Sequence, residues 1–299
     1  MNKLKLIILS LFLIIPFSVD ADSIYNMDIK VDIQKDGSAD VVETWDVKAD
    51  SGTEWFKTFS NLGSMRVSDY SVWMDGKELK PKAWDVNGSL ESKKGYYGIN
   101  EIEDGFELCF GKYDMNKHTF TLKYSMSEYV FNTTDAQVIY NTLIPKGTVE
   151  SFKVDITSYY SFPNNLDVWG YGYKGYAYVK DGKITLTSDN GLNGEYVVIL
   201  AKFSKDTFNT NNTYEQFQTF NDVLEMASQG AYDHINSNEN NSVNDNEQEE
   251  NDSVKKQPKT NQTTKNSSTK TSPFVYIVVA EIVIIIGGVA YFIYKKKFK

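Results

Sequence analysis

Cysteine and histidine are scarce in this 299-residue chain, which has one cysteine, Cys109, and two histidines, His118 and His234. A single cysteine cannot form an intramolecular disulfide. The sequence also has no HExxH, GxSxG, Walker-type or CxxC motif, which argues against the common zinc, serine-hydrolase, NTPase and redox classes. We therefore predict no metal site, no cofactor and no catalytic residue.

Basic residues are in the minority, because 31 lysines and arginines stand against 40 aspartates and glutamates, leaving a net charge of −9. Binding to nucleic acid or to anionic lipid headgroups requires basic patches. We therefore expect no nucleic-acid partner for this chain.

The N-terminus has the pattern of a secretory signal peptide. A short basic start precedes an apolar run over residues 6–17, and the small residues Val19 and Ala21 follow it. We predict a signal peptide over residues 1–21 with cleavage near Ala21. An uncleaved membrane anchor is the alternative.

The C-terminus contains the longest apolar run, residues 274–294, which is interrupted only by Glu281. At about 1.5 Å per residue the run is long enough to cross a hydrocarbon core roughly 30 Å thick. Lysines follow at once and mark the cytoplasmic side. We therefore predict a transmembrane helix over residues 273–294, a cytoplasmic basic tail over residues 295–299, and an extracellular N-terminal part.

The middle of the chain divides into three segments by composition. Residues 22–208 are rich in strand-like patterns, and residues 209–236 are expected to form an amphipathic helix with Asn212 or Thr213 at its start. The helix is indicated by apolar side chains at spacings of three and four, namely Phe217, Phe220, Leu224, Ala227 and Ala231. Residues 237–272 are almost entirely polar and cannot bury enough apolar surface to fold, so we predict a disordered tether.

Strand periodicity dominates the predicted ectodomain. Apolar residues alternate with polar ones in several short runs, for example Ile29, Val31 and Ile33, then Phe106, Leu108 and Phe110, then Phe120, Leu122, Tyr124 and Met126, then Phe152, Val154 and Ile156. Asp-Gly turns at 36–37, 75–76, 104–105 and 181–182 separate such runs. These patterns predict an all-β ectodomain, an antiparallel β-sandwich that is either one large or two small in series. Residues 196–201 are apolar on both faces and indicate a central strand.

Glu43 interrupts one of these alternations. It falls on the strand face that carries Val41, Trp45 and Val47, where an apolar residue is expected. One hypothesis is a functional or structurally critical acid, and the other is a partly exposed glutamate paired with a lysine. Paired carboxylates would be needed if the ectodomain were an envelope glycan hydrolase, which is our alternative function.

Aromatic residues are frequent, and three of them occur at alternating positions, Trp169, Tyr171 and Tyr173, with glycines between them. Exposed rings can stack on sugars or anchor a protein partner. We therefore name these three as candidate ligand-binding residues. The alternative is that the rings fill the core of the sandwich.

Three stretches of the ectodomain resemble the domain-of-unknown-function 2207 family of predicted bacterial membrane proteins. They are the start from Tyr25 to Glu43 with its Asp36-Gly37-Ser38 turn, the pair Phe110-Gly111 followed by residues 118–124, and Val168-Trp169-Gly170-Tyr171-Gly172. The resemblance implies an exported β-rich region that continues into membrane helices, and it implies no activity. Unlike the family pattern, this chain continues into a single span after an Asn-rich tether.

These features together predict a single-pass bacterial cell-surface membrane protein. We expect a non-catalytic ectodomain that binds a protein or an envelope glycan.

Glu281 and Gly288 lead to a testable prediction. They lie two helical turns apart on nearly the same face, where a small residue allows close approach and a polar group can form a hydrogen bond across the contact. We expect this face to meet a second copy or another membrane protein, and the alternative is a protonated Glu281 in a simple anchor. Cysteine crosslinking along the span in native membranes should peak on this face and disappear in Glu281→Leu. Crosslinking without helical periodicity would contradict the prediction.

Overall fold

The computed structural model describes residues 22–188, 190–214 and 216–238. The predicted signal peptide, the tether from residue 239 on, the transmembrane helix with Glu281 and Gly288, and the basic tail all lie outside the described residues. Within the described ranges, no helix combines the length and apolarity that crossing a bilayer requires.

The described residues form sixteen strands and two helices. The strands are β1 Ser23–Ile33, β2 Ala39–Lys48, β3 Glu54–Ser60, β4 Arg66–Met74, β5 Lys77–Glu78, β6 Lys80–Pro81, β7 Tyr96–Ile102, β8 Gly105–Gly111, β9 Lys117–Ser127, β10 Phe131–Asn132, β11 Gln137–Val149, β12 Phe152–Ser158, β13 Asp167–Tyr171, β14 Tyr176–Lys180, β15 Lys183–Thr187 and β16 Leu192–Phe203. The helices are α1 Leu90–Lys93 and α2 Phe220–Asn238. The all-β prediction for the ectodomain is confirmed.

Three sheets are formed by these strands. The large sheet has the order β14-β15-β12-β1-β2-β9-β4-β5, the helix-covered sheet β10-β11-β16-β13, and the small sheet β3-β8-β7-β6. Both smaller sheets contribute to the same apolar core as the inner face of the large sheet. The small sheet meets it through ring contacts such as Trp45 with Phe110 and Phe59 with Tyr124.

The architecture differs in two ways from the predicted antiparallel sandwich. Strands β1 and β12 pair in parallel, from Met27 with Phe152 to Ile33 with Ser158, and β6 pairs with β7 in parallel. Parallel neighbours need a long connection, and here residues 34–151 build most of the other strands before the chain returns beside β1. Two smaller sheets, rather than one, face the large sheet.

The Asp-Gly pairs form the tight turns that the sequence predicts. Asp75 and Gly76 have φ values of 50° and 77°, and Asp181 and Gly182 have φ values of 53° and 77°. Two successive positive φ angles define a type I′ turn, whose twist matches that of a hairpin. These pairs therefore close the β4–β5 and β14–β15 hairpins.

Strand β16 lies at the centre of its sheet, between β11 and β13, as predicted from its apolar sequence. Val197, Ile199 and Ala201 face the common core. On the other face, Val198 and Leu200 pack beneath helix α2. The strand is apolar on both faces because both are covered.

Helix α2 begins at Phe220, later than the sequence pattern indicates, and its cap is not Asn212 or Thr213. The Asp222 carboxylate accepts hydrogen bonds from the Gln218 N–H (2.9 Å) and the Thr219 N–H (2.7 Å). The Thr219 hydroxyl accepts one in return from the Asp222 N–H at 3.4 Å. This reciprocal arrangement is a capping box, and it fixes where the helix starts.

His118 connects two turns at one end of the large sheet. Its Nδ1 lies 2.7 Å from Asp75 Oδ2 and its Nε2 lies 2.9 Å from Asp114 Oδ1. Burial lowers the pKa of His118, but the hydrogen bonds to both carboxylates outweigh it, so the pKa is raised above its ordinary value. The hydrogen bond with His118 is the main reason why the pKa of Asp114 is lowered. Burial raises the pKa of Asp75, but its hydrogen bonds to the Thr119 N–H and to His118 outweigh burial, so this pKa is lowered as well.

This arrangement predicts a pH-dependent contribution to stability. The raised pKa of His118 means that its contribution is complete below the ordinary value of 6.5 and is lost as pH rises through the folded value. The lowered pKa values of the two carboxylates mean that their contribution is lost as pH falls below 3.8. Urea unfolding of the purified chain should show His118→Gln less stable than wild type at about pH 5.5, with the difference shrinking by about pH 8.5. If the stability difference between wild type and His118→Gln does not change with pH, His118 does not stabilise the fold through its charged form.

Candidate functional site

Glu43 lies in the middle of an apolar row across the large sheet. The paired residues of adjacent strands along this row are Leu186, Val154, Ile29, Glu43, Leu122 and Val72. Paired residues point to the same face, and Glu43 is fully buried, as are its neighbours. Glu43 is therefore neither at a strand end nor partly exposed, whereas the lysine pairing named in the same alternative is present, with Lys57. A functional role for this acid stays a prediction.

The Glu43 carboxylate is held by three donors. Oε1 lies 2.9 Å from Lys57 Nζ and accepts a hydrogen bond of 2.6 Å from the Tyr124 hydroxyl, and Oε2 accepts one of 2.8 Å from Trp45 Nε1. Burial, followed by the proximity of Glu43, raises the pKa of Tyr124 well above its ordinary value, so this phenol remains a donor. The carboxylate is fully occupied as an acceptor on both oxygens.

Lys57 joins all three sheets. It projects from β3 of the small sheet to Glu43 on β2 of the large sheet, and its Nζ also donates a 2.6 Å hydrogen bond to the Leu143 carbonyl on β11 of the helix-covered sheet. The residue is 3% exposed. The sheet junction therefore depends on a single buried ammonium group.

A cleft of about 420 Å³ opens beside this junction. Its walls are the end of β3 and the residues after it, the stretch of β11 from Tyr140 to Pro145, and Tyr214, Phe217 and Met226 near helix α2. Exposed polar side chains surround the opening, namely Ser60, Asn61, Thr142 and Gln216. The floor is buried and includes the side chains of Lys57, Tyr124 and Tyr129.

Tyr129 is the floor residue with unused hydrogen-bonding capacity. It is 2% exposed, and its hydroxyl has no hydrogen-bond partner among the described residues. Burial raises the pKa of this phenol, which keeps it protonated. Leaving a buried polar group unsatisfied costs about 1–3 kcal/mol. The hydroxyl oxygen has almost no accessible surface, so a ligand in the cleft does not reach it while the side chain keeps this position.

Trp169, Tyr171 and Tyr173 do not line this cleft, and they do not share one face. Tyr171 is 3% exposed and packs in the cluster beneath helix α2, where Trp169 lies 5.5 Å from the ring of Phe220. Strand β13 ends at Tyr171, and the positive φ of Gly172 turns Tyr173 onto Phe152 of the large sheet. Ligand binding by these rings stays a prediction, and the burial of Tyr171 argues against it.

Lys57 and Tyr129 were not identified from the sequence. Lys57 gives the same signal as Glu43, because it takes the place of an apolar residue between Trp55 and Phe59 on a strand face. The two interruptions could have been matched as a buried pair of opposite charge. Tyr129 follows the end of β9 and gives no comparable signal.

Carboxylates do not line the described part of the cleft, where Lys57 is the charged side chain. The described residues also contain no group of three or more metal-binding side chains. Cys109 is buried on β8, and burial raises the pKa of its thiol to about 12. Such a thiol is a poor nucleophile at neutral pH.

The family model described as the N-terminal domain of a predicted membrane protein (DUF2207) matches residues 23–203, more than half of the chain. The chain belongs to this family. The matched region begins with β1 and ends with β16, so it contains Glu43, Lys57 and Tyr129 but not helix α2. The resemblance read from the sequence is confirmed. A search of the curated proteins finds no match.

The solved structures that match this chain are distant from it. The leukotriene A4 hydrolase of Saccharomyces cerevisiae is 11% identical, with a TM-score of 0.40 over 61% of this chain and 29% of the hydrolase. The M1 zinc metallopeptidase of Deinococcus radiodurans is 13% identical, with a TM-score of 0.33 over 60% and 42%. A putative nutrient binding protein of Legionella pneumophila is 9% identical, with a TM-score of 0.34 over 62% and 68%. This chain thus spans less than a third of the length of the yeast hydrolase, and scores this low indicate no function.

The buried pair predicts strong coupling between Glu43 and Lys57. Glu43→Leu or Lys57→Met alone leaves one buried charge without its partner, which should lower the free energy of unfolding by about 3–5 kcal/mol. The double substitution removes both charges and should recover most of this loss. Denaturant unfolding of the four proteins measures the coupling.

A matched control is the exposed pair of Glu91 and Lys94, whose charged groups lie 3.5 Å apart. Glu91→Leu should change stability by less than about 1 kcal/mol. A double variant of Glu43 and Lys57 that is as unstable as the sum of its single variants would contradict the coupling.

Proposed function

We propose that this chain is a single-pass bacterial cell-surface protein whose β-rich domain binds a protein or envelope-glycan ligand without catalysing a reaction. The observation that carries the proposal is the cleft of about 420 Å³ beside Lys57, with neutral polar side chains at its opening and a buried, mainly apolar and aromatic floor. Ligand sites typically measure about 300–1,000 Å³ and combine apolar walls with a few directed polar groups. The cleft has these properties.

The lining supports binding over glycan hydrolysis. A glycoside hydrolase of the common type needs two carboxyl groups on either side of the scissile bond, roughly 5–9.5 Å apart. The described lining residues include no aspartate or glutamate. The nearby Glu43 is buried, and both of its oxygens are occupied by donors.

The surface location is supported by the ends of the sequence and by the family. The family is described as one of predicted membrane proteins. The apolar run at residues 274–294, followed by lysines, fits an anchor that leaves the β-rich domain outside the cell. The signal-like residues 1–21 fit export of that domain.

Labelling of introduced cysteines tests both parts of the proposal. The native Cys109 is buried and should remain silent. Ser60→Cys lies at the cleft opening, and Lys30→Cys lies at an exposed position of β1 as a matched control. Both should react with a membrane-impermeant maleimide on intact cells. The ratio of the Ser60→Cys labelling rate to the Lys30→Cys labelling rate should be lower on cells than after purification. The reason is that an envelope ligand covers position 60 on cells.

The two parts fail in different ways. If neither cysteine reacts until the cells are lysed, the orientation is wrong. If the ratio of the two labelling rates is the same on cells and after purification, no ligand of the cell envelope occupies the cleft.

A further inference from the structure

One wall of the cleft is a strand edge that no other strand covers among the described residues. Strand β3 is the last strand of the small sheet, with β8 on its other side. The N–H of Lys112 donates to the carbonyl of Thr53 at 3.1 Å, and the N–H of Asn61 donates to the carbonyl of Asp104 at 3.3 Å. Thr53 and Asn61 lie at either end of β3, and both bonds follow the same register as the β3–β8 pairs. Because hydrogen-bonded pairs alternate along an antiparallel ladder, the main-chain groups of the odd-numbered residues of β3 bond to β8. The main-chain groups of the even-numbered residues, including Thr58 and Ser60, point away from β8.

The opposite wall is an edge of β11 that is only partly covered by another strand among the described residues. Strand β10 pairs with the first two residues of β11, Gln137 and Val138. The Thr133 N–H donates to the Ala136 carbonyl at 2.9 Å, so two residues further along the ladder the Phe131–Val138 pair is hydrogen-bonded as well. The same alternation directs the main-chain groups of Tyr140 and Thr142 to the β10 side, beyond the residues that β10 covers. Tyr140 and Thr142 both line the cleft, as Thr58 and Ser60 do.

Exposed strand edges bind other chains in extended conformation, and main-chain hydrogen bonds supply the affinity. We propose, building on the ligand-binding role of the cleft, that its ligand is an extended, uncharged segment of a partner polypeptide that adds to the edge of β3 as a further strand. Alternate side chains of such a strand point inward, and the apolar and aromatic floor accepts them.

The charge of the cleft selects an uncharged segment. Lys57 is the one charged side chain among the described lining residues, and Glu43 already neutralises it at 2.9 Å. An added carboxylate would compete with Glu43 for the same ammonium group, and an added lysine would meet it as a like charge. The rim side chains Ser60, Asn61, Thr142 and Gln216 are polar but neutral, and they suit main-chain amides.

The chain's own residues 239–272 do not have this chemistry. Their aliphatic side chains, proline apart, are Val243 and Val254, and charged residues are frequent around both. A segment with alternating apolar residues is absent from that stretch, so a partner chain is the expected occupant.

The test uses short random peptides displayed on phage and panned against the full-length chain in lipid nanodiscs. Peptides that bind wild type should be uncharged with alternating apolar residues. Each is then synthesised with N-methyl groups on one or the other alternate set of its amides. One set should weaken binding about tenfold or more, as expected for one or two lost hydrogen bonds, and the other set should have a smaller effect. Equal affinity for both methylated forms and the parent peptide would overturn the proposal.

Two variants at Thr58 locate the binding edge. Thr58→Pro removes a main-chain N–H that faces away from β8, a position where an edge strand accepts proline. Thr58→Val keeps that N–H and is the matched control. The peptides should bind wild type and Thr58→Val alike and bind Thr58→Pro about tenfold more weakly, and equal thermal unfolding of the two variants shows that folding is retained. Equal binding to all three proteins would overturn the proposal.

An additional experiment with a glycan distinguishes failure of the polypeptide-ligand proposal from failure of the proposed ligand-binding function. A tetramer of N-acetylglucosamine is added to the purified Ser60→Cys chain, and maleimide labelling is followed. Protection by the sugar, with no peptide dependent on the edge of β3, would leave a ligand-binding cleft and overturn the polypeptide ligand. No protection by the sugar and no selected peptide would overturn both.

Discussion

The arrangement of the three sheets depends on the ion pair between Glu43 and Lys57. Removing two charges from water costs several kcal/mol per ion, and the cost is offset only where every remaining donor and acceptor is satisfied. Here the Trp45 indole, the Tyr124 hydroxyl and the Leu143 carbonyl complete the set. In the observed placement of the small sheet, Lys57 reaches Glu43 on the large sheet and Leu143 on the helix-covered sheet at the same time. We therefore expect the pair to fix the position of that sheet more than it raises stability.

Buried lysine–carboxylate pairs also occur elsewhere around the small sheet. Lys93 is buried with its Nζ 2.7 Å from the Glu54 carboxylate, and Lys112 is buried against Asp22. Lys112 also lies over the ring of Trp55, 4.5 Å from its centre. Lysine tails bury apolar surface while their ammonium groups bind carboxylates. Directional contacts of this kind give a domain without disulfides a way to set the order of its layers.

The predictions from the sequence that proved correct rest on patterns within single strands. The alternation in β1 and β9 and the Asp-Gly turns at 75–76 and 181–182 each depend on neighbouring residues, and the structure confirms them. The cleft could not be predicted, because Glu43, Lys57 and Leu143 come together only through the order of strands. The parallel pairing of β1 with β12 follows from that order too. The sequence left open whether Tyr171 lies at a surface or in the core, because helix α2, which covers it, lies far along the chain.

The cleft is lined both by residues within the family match and by residues beyond it. Its floor and β walls lie within the region that the family model matches, whereas Tyr214, Phe217 and Met226 lie beyond residue 203. Phe217 is anchored on Phe131, 5.9 Å between ring centres, and thus belongs to the cluster that seats helix α2. Any ligand that contacts this wall therefore also contacts the start of the segment that leads toward the predicted membrane span. Because helix α2 rests on β16 while the ligand would pair with β3, a ligand that contacts this wall would contact both the small sheet and the segment that packs on the helix-covered sheet.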